Sequence, residues 1–207
     1  LSHSAIVLVG LELVSPSSQT PWVSTIGITG ALCVWLSAGL SLAGLGLTLR
    51  ALESRCGRLS LTDFQGHYDH TPSLAMCFVL TGLASVGFPG TLGFVGTELL
   101  LDSTVETYPY AGIAVVVAAA LNGIAVVQAY FLLFTGKEYV SSVSLQIHVR
   151  ERYAVLGLAA LILIGGLFPQ PNITFRHKAA VELQKETHHS VEDEANFPPV
   201  TKKPHEP

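Results

Sequence analysis

The sequence predicts an all-α protein, a polytopic integral membrane helix bundle in which one transmembrane helix is discontinuous. Three observations carry that prediction. Hydrophobic residues make up 49% of the chain and charged residues only 13%, with a mean hydropathy of +0.49, too apolar for an ordinary soluble domain. The apolar residues gather into runs of membrane-spanning length separated by short polar stretches. Finally, the segment Leu83–Glu98 is an apolar run broken near its middle by Pro89-Gly90, with a carboxylate, Glu98, just beyond. Lipid offers no hydrogen bonds, so a Pro at membrane depth is tolerated only where the freed backbone is buried in protein or lines a polar cavity. In transporters such breaks mark the substrate path, and an ionisable residue beside one marks it further.

The spans follow in order. Residues 5–14 are a short apolar run after Ser2-His3-Ser4, read as a truncated or partly embedded helix. Residues 23–49 are free of charge and carry Gly27, Gly30, Ser37, Gly39, Ser41, Gly44 and Gly46 at packing intervals; small residues let membrane helices approach closely. The Ser and Thr residues of this span read as packing contacts, with a water-lined path as the alternative. Residues 72–101 form the broken segment, interrupted at 89–90. At about 1.5 Å per residue a straight helix of this length overruns a hydrocarbon core of about 30 Å, so geometry requires the break that Pro89 and Gly90 suggest. Residues 108–134 and 153–168 complete the five spans, with Tyr108, Tyr110, Tyr139 and Tyr153 at span ends, where interfacial aromatics belong.

Basic residues set the orientation. Arg50, Arg55 and Arg58 flank the loop before the broken segment, and Lys137, Arg150 and Arg152 precede the last span. The loops at 15–22 and 102–107 hold no Lys or Arg, so the two basic loops share the cytoplasmic face. Residues 176–207 are polar and end Pro-rich; Arg176–His189 is a weakly amphipathic helix candidate and the rest reads as a disordered tail. Cys33, Cys56 and Cys77 are scattered and imply no disulfide, and a net charge of −4 gives no reason to expect nucleic acid. There is no initiator Met and no leader pattern at the start, as if the chain were cut from something longer.

Four stretches then carry a resemblance. Ser2–Gly10, Ser37-Ala-Gly-Leu-Ser-Leu-Ala-Gly44, Ala84-Ser-Val-Gly-Phe-Pro-Gly-Thr-Leu-Gly-Phe-Val-Gly96 and Gly165-Gly-Leu-Phe-Pro-Gln-Pro171 occur in the order and spacing of an antiporter-like membrane subunit of respiratory complex I. The chain resembles the C-terminal part of its M-chain type, over roughly residues 1–175. Mrp-type cation antiporters and membrane-bound hydrogenases share that fold. The resemblance implies a proton- or cation-translocating subunit of a complex I-like NADH:quinone oxidoreductase. It also implies further membrane subunits supplying the missing N-terminal helices, and a bacterial inner membrane. Where the family's broken helix carries a Glu after Phe-x-Gly, this chain has Thr97, with Glu98 next. The family His before Gly-Leu-Ser is Ala38 here.

The proton-path candidates are therefore Glu98, Thr97 and His3, with Pro89, Gly90 and Gly93 forming the helix break. An intramembrane carboxylate is costly unless hydrated or paired, and is the kind of group that takes and gives a proton; an imidazole titrates in the useful range. Asp102 and Glu12 read as interfacial charges, Asn122 and Gln128 as interhelical hydrogen-bonding groups. His67, Asp69 and His70 read as a solvated turn, and no metal is expected. No nucleophile–base constellation, phosphate-binding loop or cofactor motif is present, so the chain is not catalytic by itself. Two other functions fit the same residues: a membrane subunit of an Mrp-type antiporter, hydrogenase or inorganic-carbon uptake complex, and a non-conducting structural module.

Overall fold

The computed structural model describes residues 2–12, 21–136 and 149–196, which are helical apart from the connection at 57–71 and a few shorter ones. In chain order the helices are α1 (Ser2–Glu12), α2 (Pro21–Cys56), α3 (Pro72–Val86), α4 (Leu92–Thr107), α5 (Pro109–Phe134), α6 (Val149–Leu167) and α7 (Gln170–Asn196). Pro21, Pro72 and Pro109 each open a helix, where the missing N–H would have no partner anyway and the fixed φ is already helical. Among the described residues, α2 from Val23 to Cys56 and α5 are long and apolar enough to cross a membrane on their own.

The α2 helix is the spine, touching α1, α3, α4, α6 and α7. Two apolar clusters anchor its halves. Toward its C-terminus, Ala51 and Leu52 pack with Leu74, Ala75 and Phe78 of α3 and Leu133 and Phe134 of α5; the rings of Phe78 and Phe134 lie 5.6 Å apart and tilted. Toward its N-terminus, Ala31 and Val34 close on Leu100 of α4 with Ile6 and Val7 of α1. The outward faces of α5 and α6 are apolar instead: Ile113, Val117, Leu121, Ile124, Leu161 and Ile164 are all exposed, the inversion expected of helices solvated by lipid.

Three boundaries differ from the expected ones, each for a local reason. The α2 helix continues past Leu49 to Cys56, so Arg50 and Arg55 sit in its closing turns and not in a loop. Cations there complement the negative end of the helix, and Gly57, at φ 78°, ends it. The stretch 102–107, expected as a loop, is the end of α4; Ser103, Thr104 and Thr107 return their hydroxyls to helix carbonyls, and Ser103 and Thr104 are buried. Helix α4 stops at Thr107 because Tyr108 precedes Pro109, and the residue before a proline avoids the helical region; Tyr108 alone joins α4 to α5.

The third difference is the tail. A continuous α7 runs from Gln170 to Asn196, beyond both ends of the expected Arg176–His189 stretch, and residues 197–207 lie outside the described residues. It leaves α6 through a bend of 77° and lies along the N-terminal half of α2. Polar contacts hold it there: the Gln184 amide donates to Ser24 Oγ at 2.6 Å and the Asn172 amide reaches Cys33 Sγ at 3.5 Å.

Candidate functional site: the broken helix

The break between α3 and α4 spans Gly87–Thr91 and contains the expected Pro89-Gly90. It begins two residues before the proline, because Phe88 precedes Pro89 and resists the helical region. Gly87 absorbs the turn at φ 79°, and its N–H and that of Phe88 donate to the carbonyls of Ala84 and Leu83 at 3.2 and 3.1 Å. Two of the carbonyls orphaned at the end of α3 are thus satisfied by the turn itself. Gly90 takes φ 87°, Thr91 is extended, and α4 restarts at Leu92. Thr91 turns its hydroxyl back to the Phe88 carbonyl at 2.7 Å, so it does not cap the first turn of α4.

Neighbouring helices press their backbones onto this break. A Cβ on Gly166 of α6 would run into the Gly90 carbonyl and lie 2.5 Å from the carbonyl carbon of Thr91. A Cβ on Gly30 of α2 would lie 2.6 Å from the Leu100 nitrogen, and one on Gly96 would lie 2.7 Å from Cys33 Cβ. Glycines therefore let α2 meet α4, and α6 meet the break, at backbone distance. Gly93 belongs to this set and not to the break: it lies one residue inside α4, and a Cβ there would be 2.6 Å from Ser37 Oγ and 3.0 Å from the Ala84 carbonyl.

The three proton-path candidates take different positions. His3 is half-buried, and its Nε2 lies 2.7 Å from the Ser85 carbonyl in the last turn of α3. It is therefore beside the break and not a free polar end group. A carbonyl only accepts, so Nε2 is the donor in this contact. Thr97 is half-buried; its hydroxyl donates to the Gly93 carbonyl at 2.9 Å, and its Oγ1 would be 2.7 Å from a Cβ on Gly87. Thr97 thus faces the end of α3 across the break. Glu98 is exposed, since one residue turns a helix by about 100°.

Other polar candidates lie away from the break. Glu12 and Asp102 are exposed, as is Gln128, which lines an apolar groove with Phe64, Val127 and Phe131. The reading of His67 as part of a solvated turn is corrected: it is 2% exposed. Successive N–H groups of Gln65, Gly66, His67 and Tyr68 donate to the Leu132, Thr135, Leu133 and Phe134 carbonyls, capping the end of α5. The His67 ring sits beneath that cap, with Nε2 3.1 Å from Gln65 Oε1 and Nδ1 3.6 Å from Cys56 Sγ. Burial, and secondarily the charge of His70, lowers its pKa from the ordinary 6.5. No cluster of three or more His, Cys, Asp or Glu able to hold a metal occurs among the described residues.

Sequence reasoning missed Ser85 and Gly166. The second is visible in the Gly165-Gly166 doublet; nothing in the sequence marks Ser85, whose role is its carbonyl.

Residues 1–122 match the family described as NADH:quinone oxidoreductase/Mrp antiporter, transmembrane. The chain is 28% identical over 172 residues to NADH-quinone oxidoreductase subunit M of Mycobacterium tuberculosis, covering 83% of this chain and 30% of that protein. It is 27% identical over 176 residues to the subunit M of Pseudomonas aeruginosa, covering 83% and 32%. The chain thus spans about a third of the length of these curated relatives. Its fold is similar to chains in the Mrp complex of a Dietzia species (TM-score 0.71, 18% identity, 91% of this chain and 47% of that one). It is also similar to a chain of respiratory complex I from Thermus thermophilus with bound NADH (TM-score 0.70, 24% identity, 88% and 37%).

Proposed function

Because the chain belongs to the NADH:quinone oxidoreductase/Mrp antiporter transmembrane family, we propose that this integral membrane protein forms part of a module that moves protons, or another monovalent cation, across a bacterial inner membrane. It does so within a larger membrane assembly, with its basic loops on the cytoplasmic side. The observation that carries the reading is the break itself: a five-residue interruption, Gly87–Thr91, with an imidazole bonded to the last turn of α3 and a carboxylate one residue beyond the Thr that faces it.

Glu98 is the protonatable carboxylate of this path and His3 its second titratable group. Glu98 projects from the outside of this chain's bundle, so the path runs between α4 and a further membrane helix supplied by the rest of the assembly. That helix shields the carboxylate from bulk water and gives it a partner, the two conditions under which an intramembrane charge is kept. The chain carries no redox chemistry of its own in this scheme; an electron-transferring or counter-ion partner supplies the driving force. The subunit M relatives favour the quinone-reductase setting over an antiporter or carbon-uptake one.

A non-conducting structural role is the competing reading, and one observation favours it: the position that faces α3 across the break is Thr97, which has no carboxylate. Proton flux in proteoliposomes containing the assembled complex separates the two. Glu98→Gln abolishes flux if Glu98 is the relay and changes nothing if the module only anchors its neighbours. Loss of flux in Thr97→Val alone assigns the path to position 97.

A further inference from the structure

One residue of the connection at 57–71 ties three helix ends together, and every polar group it has is engaged. The His67 N–H donates to the Leu133 carbonyl in the last turn of α5 at 3.3 Å. Its carbonyl accepts from both the N–H and the hydroxyl of Thr71, at 3.1 and 2.9 Å. The Thr71 carbonyl in turn accepts from the Ala75 N–H at 3.1 Å, so α3 starts on His67. The ring reaches Cys56, the last residue of α2. Beside this junction lies the apolar cluster that joins Leu52, Leu74, Phe78, Leu133 and Phe134. The start of α3 is therefore fixed to the ends of α2 and α5 through His67.

The ring sits buried between Gln65 Oε1 and Cys56 Sγ. A neutral imidazole brings one donor and one acceptor to such a site, whereas an imidazolium has two donors and no acceptor. Burial also opposes the charge, and the neighbouring His70 adds to that opposition, which holds the ring's pKa below the ordinary 6.5. The titratable groups that face the ring are Cys56 from α2 and His70 from the connection itself; Asp63 and Asp69 of the connection are exposed. The first turn of α3 (Pro72–Ala75) and the last turn of α5 (Phe131–Phe134) bring no titratable side chain. At the other end of α3 is the break. The helix is 15 residues long, about 22 Å, and its last carbonyls are held by His3 and by the turn at Gly87. Leu74, Cys77, Phe78, Thr81 and Ala84 are buried along its length, and a packed helix passes a shift on instead of absorbing it.

We propose that His67 is a pH switch acting on the break: protonation of its ring loosens the 65–68 cap, releases the start of α3 and shifts Gly87–Thr91 at the far end of that helix. In the orientation proposed above the switch faces the cytoplasm, so the module slows when its cytoplasmic side turns acid. The coupling of cap to break is a property of this chain; its effect on flux rests on the proposed function. The direction follows from linkage. The closed cap favours the neutral ring, so opening gains as the pH falls below 6.5 and gains no more below the lowered pKa.

Amide hydrogen exchange in the assembled complex, corrected for intrinsic rate and read at the break between pH 7 and pH 5.5, tests the coupling. Exchange through Gly87–Leu92 should quicken about threefold or more as the pH falls in the natural protein and in His70→Asn. It should stay flat in His67→Gln and His67→Asn, which keep a neutral donor and acceptor at the site. A break indifferent to pH while the cap loosens overturns the proposal. So does a dependence that persists in both His67 variants, since it then belongs to His3 at the break itself. Should neither variant assemble, the natural protein decides: cap and break must loosen over the same pH interval, and a break that responds elsewhere overturns the coupling. In proteoliposomes acidified on the cytoplasmic side, flux should fall about threefold or more in the natural protein relative to H67Q. Identical pH profiles, with flux abolished by E98Q, overturn the control of flux alone. Flux unaffected by E98Q contradicts the proposed function and leaves the coupling to be judged by exchange.

Discussion

A single methyl group on Gly166 tests how tightly the break is held. The Cβ of Gly166→Ala would meet the Gly90 carbonyl oxygen and lie 2.5 and 2.6 Å from the carbonyl carbons of Thr91 and Gly90. These are backbone atoms fixed by a left-handed Gly and by helix restart, so relief requires moving α6 or remaking the break. Overpacking of this kind costs about 1–3 kcal/mol. Gly157, in the same helix, is the matched control: it is exposed, and a Cβ there meets nothing within 4 Å. Gly157→Ala should gain about 0.5–1 kcal/mol from helix propensity. The propensity gain is common to both, so the two variants separate by about 1–3 kcal/mol, although each adds the same methyl to the same helix. Thermal unfolding of the purified complex, followed through this subunit, reads the difference. If G166A is as stable as G157A, α6 is not pressed on the break and the packing argument fails.

Further expectations concern the groups around that contact. His3→Phe leaves the Ser85 carbonyl without its donor and should destabilise the subunit by about 1–3 kcal/mol; His3→Gln, which can still donate, should recover part of that loss in the same unfolding assay. Gly87→Ala forces an L side chain to φ 79° and should cost about 1–2 kcal/mol, the loss appearing as faster amide exchange through Ser85–Thr91. His67 has a pKa lowered in the folded state, so unfolding or opening takes up protons. The stability it governs is complete above pH 6.5, declines as the pH falls below that value, and levels off below the lowered pKa. Hydrogen exchange at Gln65–Tyr68, corrected for intrinsic rate, should show protection weakening from pH 7 to pH 5.5, and His67→Gln should remove that dependence.

Much of this was legible in the sequence, and what was not has identifiable causes. The break was readable because Pro89 and Gly90 act locally on the backbone, through ring sterics and absence of a Cβ. The direction of Glu98 was not, because a one-residue difference in where α4 restarts turns every later side chain by about 100°. The restart at Leu92 is set by Gly90 and Thr91 against α6, a tertiary contact. The full extent of α7 and its docking escaped because its polar composition offers little to bury, and its hold on α2 comes from pairings such as Gln184 with Ser24, 160 residues away in sequence. His67 looked solvated because a His-rich turn usually is; it is buried here because its own backbone caps α5.

The central claim is that a carboxylate beside the broken helix carries protons, and one measurement addresses it most directly. Proton uptake into proteoliposomes bearing the assembled complex is compared for the natural protein, Glu98→Gln and Thr97→Val, with equal assembly checked for each. The account predicts flux lost in E98Q and retained in T97V. Equal flux in E98Q and the natural protein would contradict it.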